Sequence, residues 1–165
     1  MHLNDPNTID TPAITIDLDI LDKNLRDTQD LAQNAGVKLR PHTKTHKSVW
    51  IAKEQLKYGA TGITVATLGE AEEMVAAGIR DILVAFPIVG KVKLNRLAKL
   101  MEQATITVST DDLTVTQGLS DLGVALNKKI PLYVDVNTGL NRCGREPGEE
   151  TAQLVRQMVK FPGVT

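Results

Sequence analysis

The chain has 165 residues, and its 19 lysines and arginines stand against 20 aspartates and glutamates, which gives a formal net charge of −1. This balance argues against nucleic-acid binding, which requires clustered basic charge, while 42% hydrophobic residues is typical of a folded globular protein. The sequence contains no apolar run of transmembrane length, no recognisable signal peptide and a single cysteine, Cys143, which excludes an internal disulfide. We therefore expect a soluble, cytoplasmic protein that binds neither nucleic acid nor membranes.

Taken in chain order, the apolar pattern first predicts a strand at residues 13–18, followed by a helix that Asp19 caps and Gly36 ends. From there, short β-branched strands alternate with stretches that have apolar residues at helical spacing. The predicted strands are residues 37–40, 62–66, 81–86, 105–109 and 131–136, each followed by a helix. Val164 stands where a sixth strand would open.

The strands are short and almost uniformly apolar, as strands are when both of their faces are buried. Repetition of strand and helix predicts parallel pairing with right-handed crossovers, in an α/β fold that is a closed barrel or an open doubly wound sheet. No glycine-rich dinucleotide-binding loop follows the first strand, which favours the barrel. A (β/α)8 TIM-type barrel takes about 250 residues, so we expect residues 1–165 to be the N-terminal part of an incomplete barrel.

In parallel α/β folds the functional side chains lie at the carboxyl ends of the strands. Residues 40–47, Arg-Pro-His-Thr-Lys-Thr-His-Lys, follow the first of the alternating strands. A lysine held there among other cations is suited to forming a Schiff base, although a solvated basic turn has the same composition. His42 and His46 are also possible metal ligands, but Pro41 opposes placing both on one helical turn and no third ligand is near.

A second polar segment, residues 135–144, follows the strand predicted at 131–136 and reads Asp-Val-Asn-Thr-Gly-Leu-Asn-Arg-Cys-Gly. Gly139 and Gly144 allow a tight backbone path. Arg142 could donate hydrogen bonds to an anionic ligand, and Asp135 could hold the guanidinium in place. The alternative is a surface turn with an ordinary salt bridge.

Four segments resemble one protein family in the expected order. Residues 11–19 resemble the opening of the alanine-racemase-like barrels, the fold-type III pyridoxal-phosphate enzymes. The Arg-Pro-His-x-Lys-Thr-His-Lys run is similar to the lysine motif of one branch, the D-threonine aldolases and eukaryotic-type D-serine dehydratases. Residues 66–72 and 135–144 resemble later blocks of that branch. The resemblance implies a barrel like the alanine racemase N-terminal domain, with pyridoxal 5′-phosphate as its cofactor.

By this resemblance, Lys44 is the catalytic residue and binds pyridoxal phosphate through a Schiff base. Lys47 is the rival amine, but in the family the lysine directly before Thr-His-Lys takes the cofactor. His42, Thr45 and His46 would line the cofactor pocket.

The resemblance also gives a role to the second segment. Arg142 matches the arginine that faces the phenolic oxygen of the cofactor. Asp135 stands where related racemases can hold a lysine modified to a carbamate, which orients this arginine. In the family, the phosphate cradle and the partner of the pyridine nitrogen come from later strands, and a C-terminal β domain contributes a divalent-metal site. For the full-length protein we therefore expect that domain, a metal bound by residues outside this chain, and a homodimer.

The implied activity is that of a lyase for D-β-hydroxy amino acids, and D-threonine aldolase, which releases glycine and an aldehyde, is the first choice. D-serine dehydratase and an amino-acid racemase are alternatives, because all three reactions begin in the same way. A non-catalytic pyridoxal-phosphate homeostasis protein is an alternative of another class, against which the strand predicted at 13–18 argues. A barrel for an unrelated phosphorylated substrate is a further alternative.

Overall fold

The computed structural model describes residues 8–165, and within them the chain forms six helices and four strands. In chain order these elements are α1 (Leu18–Asn34), α2 (Val49–Lys57), β1 (Ile63–Val65), α3 (Leu68–Ala76), β2 (Asp81–Val84), α4 (Lys91–Met101), β3 (Thr105–Thr110), α5 (Leu113–Ala125), β4 (Leu132–Val134) and α6 (Glu149–Met158). No helix in this part of the chain is long and apolar enough to cross a lipid bilayer.

The strands form one parallel sheet in the order β1-β2-β3-β4. Single bridges continue the sheet at both edges, from His42 to Thr64 on one side and from Ile130 to Val164 on the other. Each strand therefore lies beside the strand that follows it in the chain. In an open doubly wound sheet, by contrast, the strand order reverses at a switch point. This sequential order is that of a (β/α) barrel wall, which confirms the predicted architecture.

The strand predicted at residues 13–18 is wrong. Residues 13–17 take no regular secondary structure, and Ile14 is 97% exposed. The cap of α1 is Asp17 rather than Asp19, since the Asp17 carboxylate accepts two backbone N–H groups of the first turn at 3.0 Å. β-branched residues favour a strand only where a neighbouring backbone completes the hydrogen bonds, and the described part of the chain offers none beside this segment.

The strand predicted at residues 37–40 does not form as a regular strand either. The carbonyl groups of Leu39 and Pro41 accept the N–H groups of Thr61 and Thr64 at 2.9 and 2.8 Å, so the segment does run beside β1. Pro41 has no N–H group with which to donate a hydrogen bond to β1. The pairing of this segment with β1 is therefore limited to isolated bonds. The residues that follow still leave the sheet at the same end as the other strands.

The two faces of the sheet differ in chemistry. Alternate strand residues pack in the apolar core under the helices and are almost fully buried: Ile63, Val65, Ile82, Val84, Ile106 and Val108. Because side chains alternate along a strand, Thr64, Thr107 and Ser109 point to the opposite face, where they are buried as well. The helix side is therefore apolar as predicted, whereas the opposite face combines these hydroxyl groups with Leu83, which lies between Thr64 and Thr107 in the strand register.

An ion pair links Arg40, at the end of residues 37–40, to the sheet near the amino ends of the strands. The Arg40 guanidinium binds both oxygens of Asp81, at 2.8 and 3.1 Å. It crosses over Gly62, where a Cβ atom would lie 2.2 Å from Arg40 Nη1. The glycine thus leaves the space through which Arg40 reaches β2, and the pair fixes the backbone at the start of the lysine segment, residues 40–47.

A close contact between α5 and the last residues of the chain gives a test of this packing. A Cβ atom on Gly123 would lie 2.1 Å from the carbonyl oxygen of Gly163, so Gly123→Ala should lower the free energy of unfolding by about 1–3 kcal/mol. Gly118, in the same helix, has Leu94 Cδ1 at 3.7 Å as its nearest neighbour. Gly118→Ala should therefore stabilise the protein, by up to about 1 kcal/mol. Urea denaturation measures both changes, and equal effects of the two substitutions would contradict the packing.

Candidate functional site

The lysine segment leaves the sheet in a tightly fixed turn. Thr43 is 1% exposed, and its N–H and Oγ1 both donate to the carbonyl oxygen of Thr64, at 2.8 and 3.1 Å. Lys44 follows directly and is exposed, and its backbone N–H donates to His42 Nδ1 at 3.2 Å. The turn closes where the Lys47 N–H donates to the Thr43 carbonyl at 2.8 Å. The backbone of Lys44 is therefore held at the carboxyl end of the barrel wall.

The two lysines of this segment have different surroundings. Lys47 Nζ lies 2.6 Å from Glu70 Oε1, and the other carboxylate oxygen of Glu70 accepts the Ala66 N–H at 2.7 Å. Burial raises the pKa of Glu70, but the hydrogen bonds from Lys47 and Ala66 outweigh it and leave the pKa below its usual value. The Lys44 side chain makes no hydrogen bond or ion pair with any of residues 8–165. Lys44 is thus the unpaired amine of the segment.

The two histidines bond to the backbone rather than to each other. The Nδ1 atoms of His42 and His46 accept the N–H groups of Lys44 and Ser48, at 3.2 and 3.0 Å. Burial, followed by the charge of Lys44, lowers the pKa of His42. Burial also lowers the pKa of His46, against opposing hydrogen bonds. In both rings the shift favours the neutral form.

The alternative of a metal bound by these histidines receives no support from the geometry. Their Nδ1 atoms are occupied by backbone donors, and residues 8–165 contain no group of three side chains arranged to hold a metal ion. Thr45, the remaining predicted pocket residue, is exposed and makes no hydrogen bond to the described residues.

The second segment forms a closed loop, residues 135–145, after β4. The Asn137 N–H donates to the Arg145 carbonyl at 2.8 Å, and the Arg145 N–H donates to the Asp135 carbonyl at 3.2 Å. Gly144 has a φ of +91°, and a Cβ atom there would lie 2.5 Å from the carbonyl carbon of Val136. The loop can close only because this position is glycine.

The loop contains two arginines, and only one of them is engaged. Arg145 Nε donates to the Asp111 carbonyl at 2.9 Å, and its guanidinium lies 3.6 Å from Asp112 and from Glu150. Arg142 is exposed and forms no hydrogen bond or ion pair within the described part of the chain. Arg142 is thus the cation of this loop that remains available to a ligand.

Asp135 and Arg142 lie near each other without forming an ion pair within 4 Å. Burial is the main cause that raises the pKa of Asp135, and the charge of Asp111 adds to it. Ser109 and Arg142 act in the opposite direction but do not cancel the shift. Asp135 therefore keeps its proton to a higher pH than an exposed aspartate does.

Sequence reasoning missed two residues that shape these segments. Glu70 pairs with Lys47, and Asp111 accepts the Gly144 N–H of the loop at residues 135–145, called the arginine loop below. Thr67 and Glu70 have the spacing of a capping box, and Thr67 Oγ1 does accept the Glu70 N–H at 3.2 Å. That signal was present in the sequence, whereas nothing local in the sequence distinguishes Asp111 from Asp112.

The predicted site residues fall into two groups at the carboxyl end of the sheet. One group lies beside β1 and contains Lys44, and the other follows β4 and contains Arg142. No hydrogen bond or ion pair between described residues joins the two groups.

Comparison with known proteins defines the class to which this barrel wall belongs. Residues 16–165 match the family described as alanine racemase, N-terminal domain, and the chain belongs to this family. This confirms the family resemblance and the type of barrel.

Individual enzymes and one crystal structure are similar to this chain. The chain is 38% identical over 156 residues to the D-threonine aldolase of Arthrobacter sp, a match that covers 94% of this chain and 41% of that protein. It is 36% identical over 137 residues to the D-threo-3-hydroxyaspartate dehydratase of Delftia sp. (strain HT23), covering 83% of this chain and 36% of that protein. The crystal structure of the D-threonine aldolase from Filomicrobium marinum superimposes with a TM-score of 0.90 at 39% identity, over 94% of this chain and 42% of that one. The chain thus spans less than half the length of these relatives.

Proposed function

We propose that this chain is the cofactor-binding part of a pyridoxal-phosphate-dependent lyase for D-β-hydroxy amino acids, with cleavage of D-threonine to glycine and an aldehyde as its favoured reaction. The observation that carries the proposal is the contrast between the two lysines. Lys44 is exposed and unpaired, whereas Lys47 is held by Glu70 at 2.6 Å. The relatives named D-threonine aldolase and 3-hydroxy-D-aspartate aldolase, 38% and 34% identical, support the substrate class.

The donor set fits pyridoxal phosphate. An aldehyde group requires an amine without a competing partner, and Lys44 has such an amine. The anionic ring oxygen requires a cationic donor, and Arg142 is exposed and unpaired at the same end of the sheet. The bound cofactor supplies an electron sink, which allows a bond at the Cα atom of an amino acid to break.

The residues of this chain contribute binding and orientation. Lys44 would hold the cofactor covalently, and the two bonds from Thr43 to the Thr64 carbonyl keep the Lys44 backbone in place. Burial and the Lys44 charge lower the pKa of His42, which disfavours a second positive charge beside the Lys44 amine. Arg142 donates hydrogen bonds to an anionic oxygen, which an arginine fork does with a fixed geometry.

Dehydration is the second candidate, and a specific comparison favours it. The dehydratase from Delftia is 36% identical in sequence, and its structure superimposes with a TM-score of 0.84. Product analysis separates the two reactions, because D-threonine gives glycine and acetaldehyde on aldol cleavage but 2-oxobutanoate and ammonia on dehydration. Formation of L-allothreonine alone, by inversion at the Cα atom, would instead identify a racemase or epimerase.

The lysine assignment can be tested directly on the complete protein. Incubation with pyridoxal phosphate, reduction with borohydride and peptide mapping should place the label on Lys44, because its amine is unpaired. A label on Lys47 would show that the wrong lysine had been chosen. Labelling spread evenly over surface lysines, without a saturable absorbance change, would contradict the proposal that this protein binds pyridoxal phosphate.

A further inference from the structure

The arginine loop is fastened on both sides of Arg142. On the amino side, Asn137 acts as a hub, since its Oδ1 accepts the N–H groups of Gly139 and Asn141 at 3.0 and 3.1 Å. Its Nδ2 donates to Asn141 Oδ1 at 2.8 Å and to Glu146 Oε1 at 2.9 Å. This first half of the loop is held by its own residues.

On the carboxyl side the loop is fastened from outside. The Gly144 N–H donates to Asp111 Oδ2 at 2.7 Å, and Asp111 follows β3, the neighbouring strand in the sheet. The main-chain carbonyl of Asp111 also accepts Arg145 Nε at 2.9 Å. A carboxylate that accepts a backbone N–H forms a charge-assisted bond, which is stronger than one between neutral groups. Asp111 therefore joins the end of the loop to the barrel wall.

Only Arg142 and Cys143 lie between the two fastened points, Asn141 and Gly144. We propose that Asp111 is a positioning residue, which sets the location of Arg142 toward the ligand by holding the Gly144 N–H. The part of this proposal that concerns the ligand rests on the proposed function, whereas the part that concerns the loop does not.

Competition within the loop supports the same assignment. The carboxylates of Asp112 and Glu150 lie 3.6 Å from the Arg145 guanidinium, and the main-chain carbonyl of Asp111 accepts Arg145 Nε. A loop held in this way keeps Arg142 out of the local ion pairs. Without the Asp111 bond, the Gly144 end would move, and Arg142 would sample positions in which it pairs with protein carboxylates instead of a ligand.

Two substitutions of Asp111 separate the hydrogen bond from the charge. Asp111→Ala removes both, while Asp111→Asn keeps an oxygen that can accept the Gly144 N–H. The matched control is Asp121→Ala, on the exposed surface of α5, where among residues 8–165 the aspartate side chain bonds only to Gln117. Cys143, exposed and directly after Arg142, reports on the loop through its rate of alkylation, measured by peptide mapping without cofactor.

In the complete protein, Asp111→Ala should increase the alkylation rate of Cys143 several-fold and weaken the binding of pyridoxal phosphate by about tenfold, as loss of a charge-assisted bond does. Asp111→Asn should restore the alkylation rate and most of the affinity, and Asp121→Ala should match the wild type in both. If Asp111 acted only by stabilising the fold through its charge, asparagine would not restore these two properties.

The outcomes are distinct. An unchanged alkylation rate in Asp111→Ala, or a faster rate with unchanged cofactor affinity, would overturn the positioning role. If Asp111→Ala does not fold, a several-fold faster alkylation of Cys143 and a several-fold weaker cofactor affinity in Asp111→Asn than in Asp121→Ala would overturn it as well, because asparagine keeps an acceptor for the Gly144 N–H. If the wild-type protein binds no pyridoxal phosphate, the proposed function fails, and the alkylation rates still decide whether Asp111 holds the loop.

Discussion

Replacement of Lys44 by alanine should abolish the cofactor absorbance band of the complete protein and lower its turnover of D-threonine by on the order of a thousandfold or more, the scale seen when an enzyme loses its covalent group. The reason is the isolation of this amine. Lys47, three residues on, is held by a carboxylate that is 11% exposed, so it is a poor substitute. Absorbance titration with pyridoxal phosphate and assays of glycine release measure the two effects.

Lys47→Ala is the matched control for this substitution. It removes a cation of the same segment that is already paired with Glu70, and we expect the cofactor band and most of the turnover to remain. A surviving band in Lys44→Ala, or its disappearance only in Lys47→Ala, would exchange the roles of the two lysines. Loss of the band in both variants would indicate that the segment must be intact for the cofactor to bind at all.

Replacement of Arg142 by alanine should lower kcat/KM by at least tenfold and shift the cofactor spectrum. A charge-assisted hydrogen bond contributes about 1.5–3 kcal/mol, and each 1.4 kcal/mol corresponds to a factor of about ten. Because Arg142 has no partner among residues 8–165, its removal should cost little stability, so the loss should appear in function. Steady-state kinetics, absorbance spectra and thermal denaturation of the complete protein measure these three quantities.

Arg156→Ala is the control for the loss of an arginine. Arg156 is exposed on α6 and pairs with Glu149 at 2.7 Å, and surface ion pairs of this kind contribute about 0–1 kcal/mol. We expect wild-type kinetics from this variant. Unchanged turnover together with an unshifted spectrum in Arg142→Ala would remove Arg142 from the site, whatever its position in the loop.

The alternation of short apolar strands with helices was predictable because burial leaves a periodic trace in the sequence. α2 to α6 and the strands between them follow from that pattern, and so does the placement of Lys44 and Arg142 after strands at the same end of a parallel sheet. The pattern failed at residues 13–17, where β-branched residues have no strand partner, and at residues 37–40, where Pro41 interrupts the ladder. In both places the local preference was present, but the complete ladder of hydrogen bonds that a strand requires was not.

The sequence by itself determined the barrel wall, the family and the two polar segments that carry the predicted site. It could not determine which cation in each segment is available, because that depends on contacts between residues far apart in the chain. Glu70 engages Lys47 from 23 positions away, and residues after β3 engage Arg145 from more than 30. Electrostatic pairing depends on distance in space, so only the tertiary structure decided that Lys44 and Arg142 are the groups left unpaired.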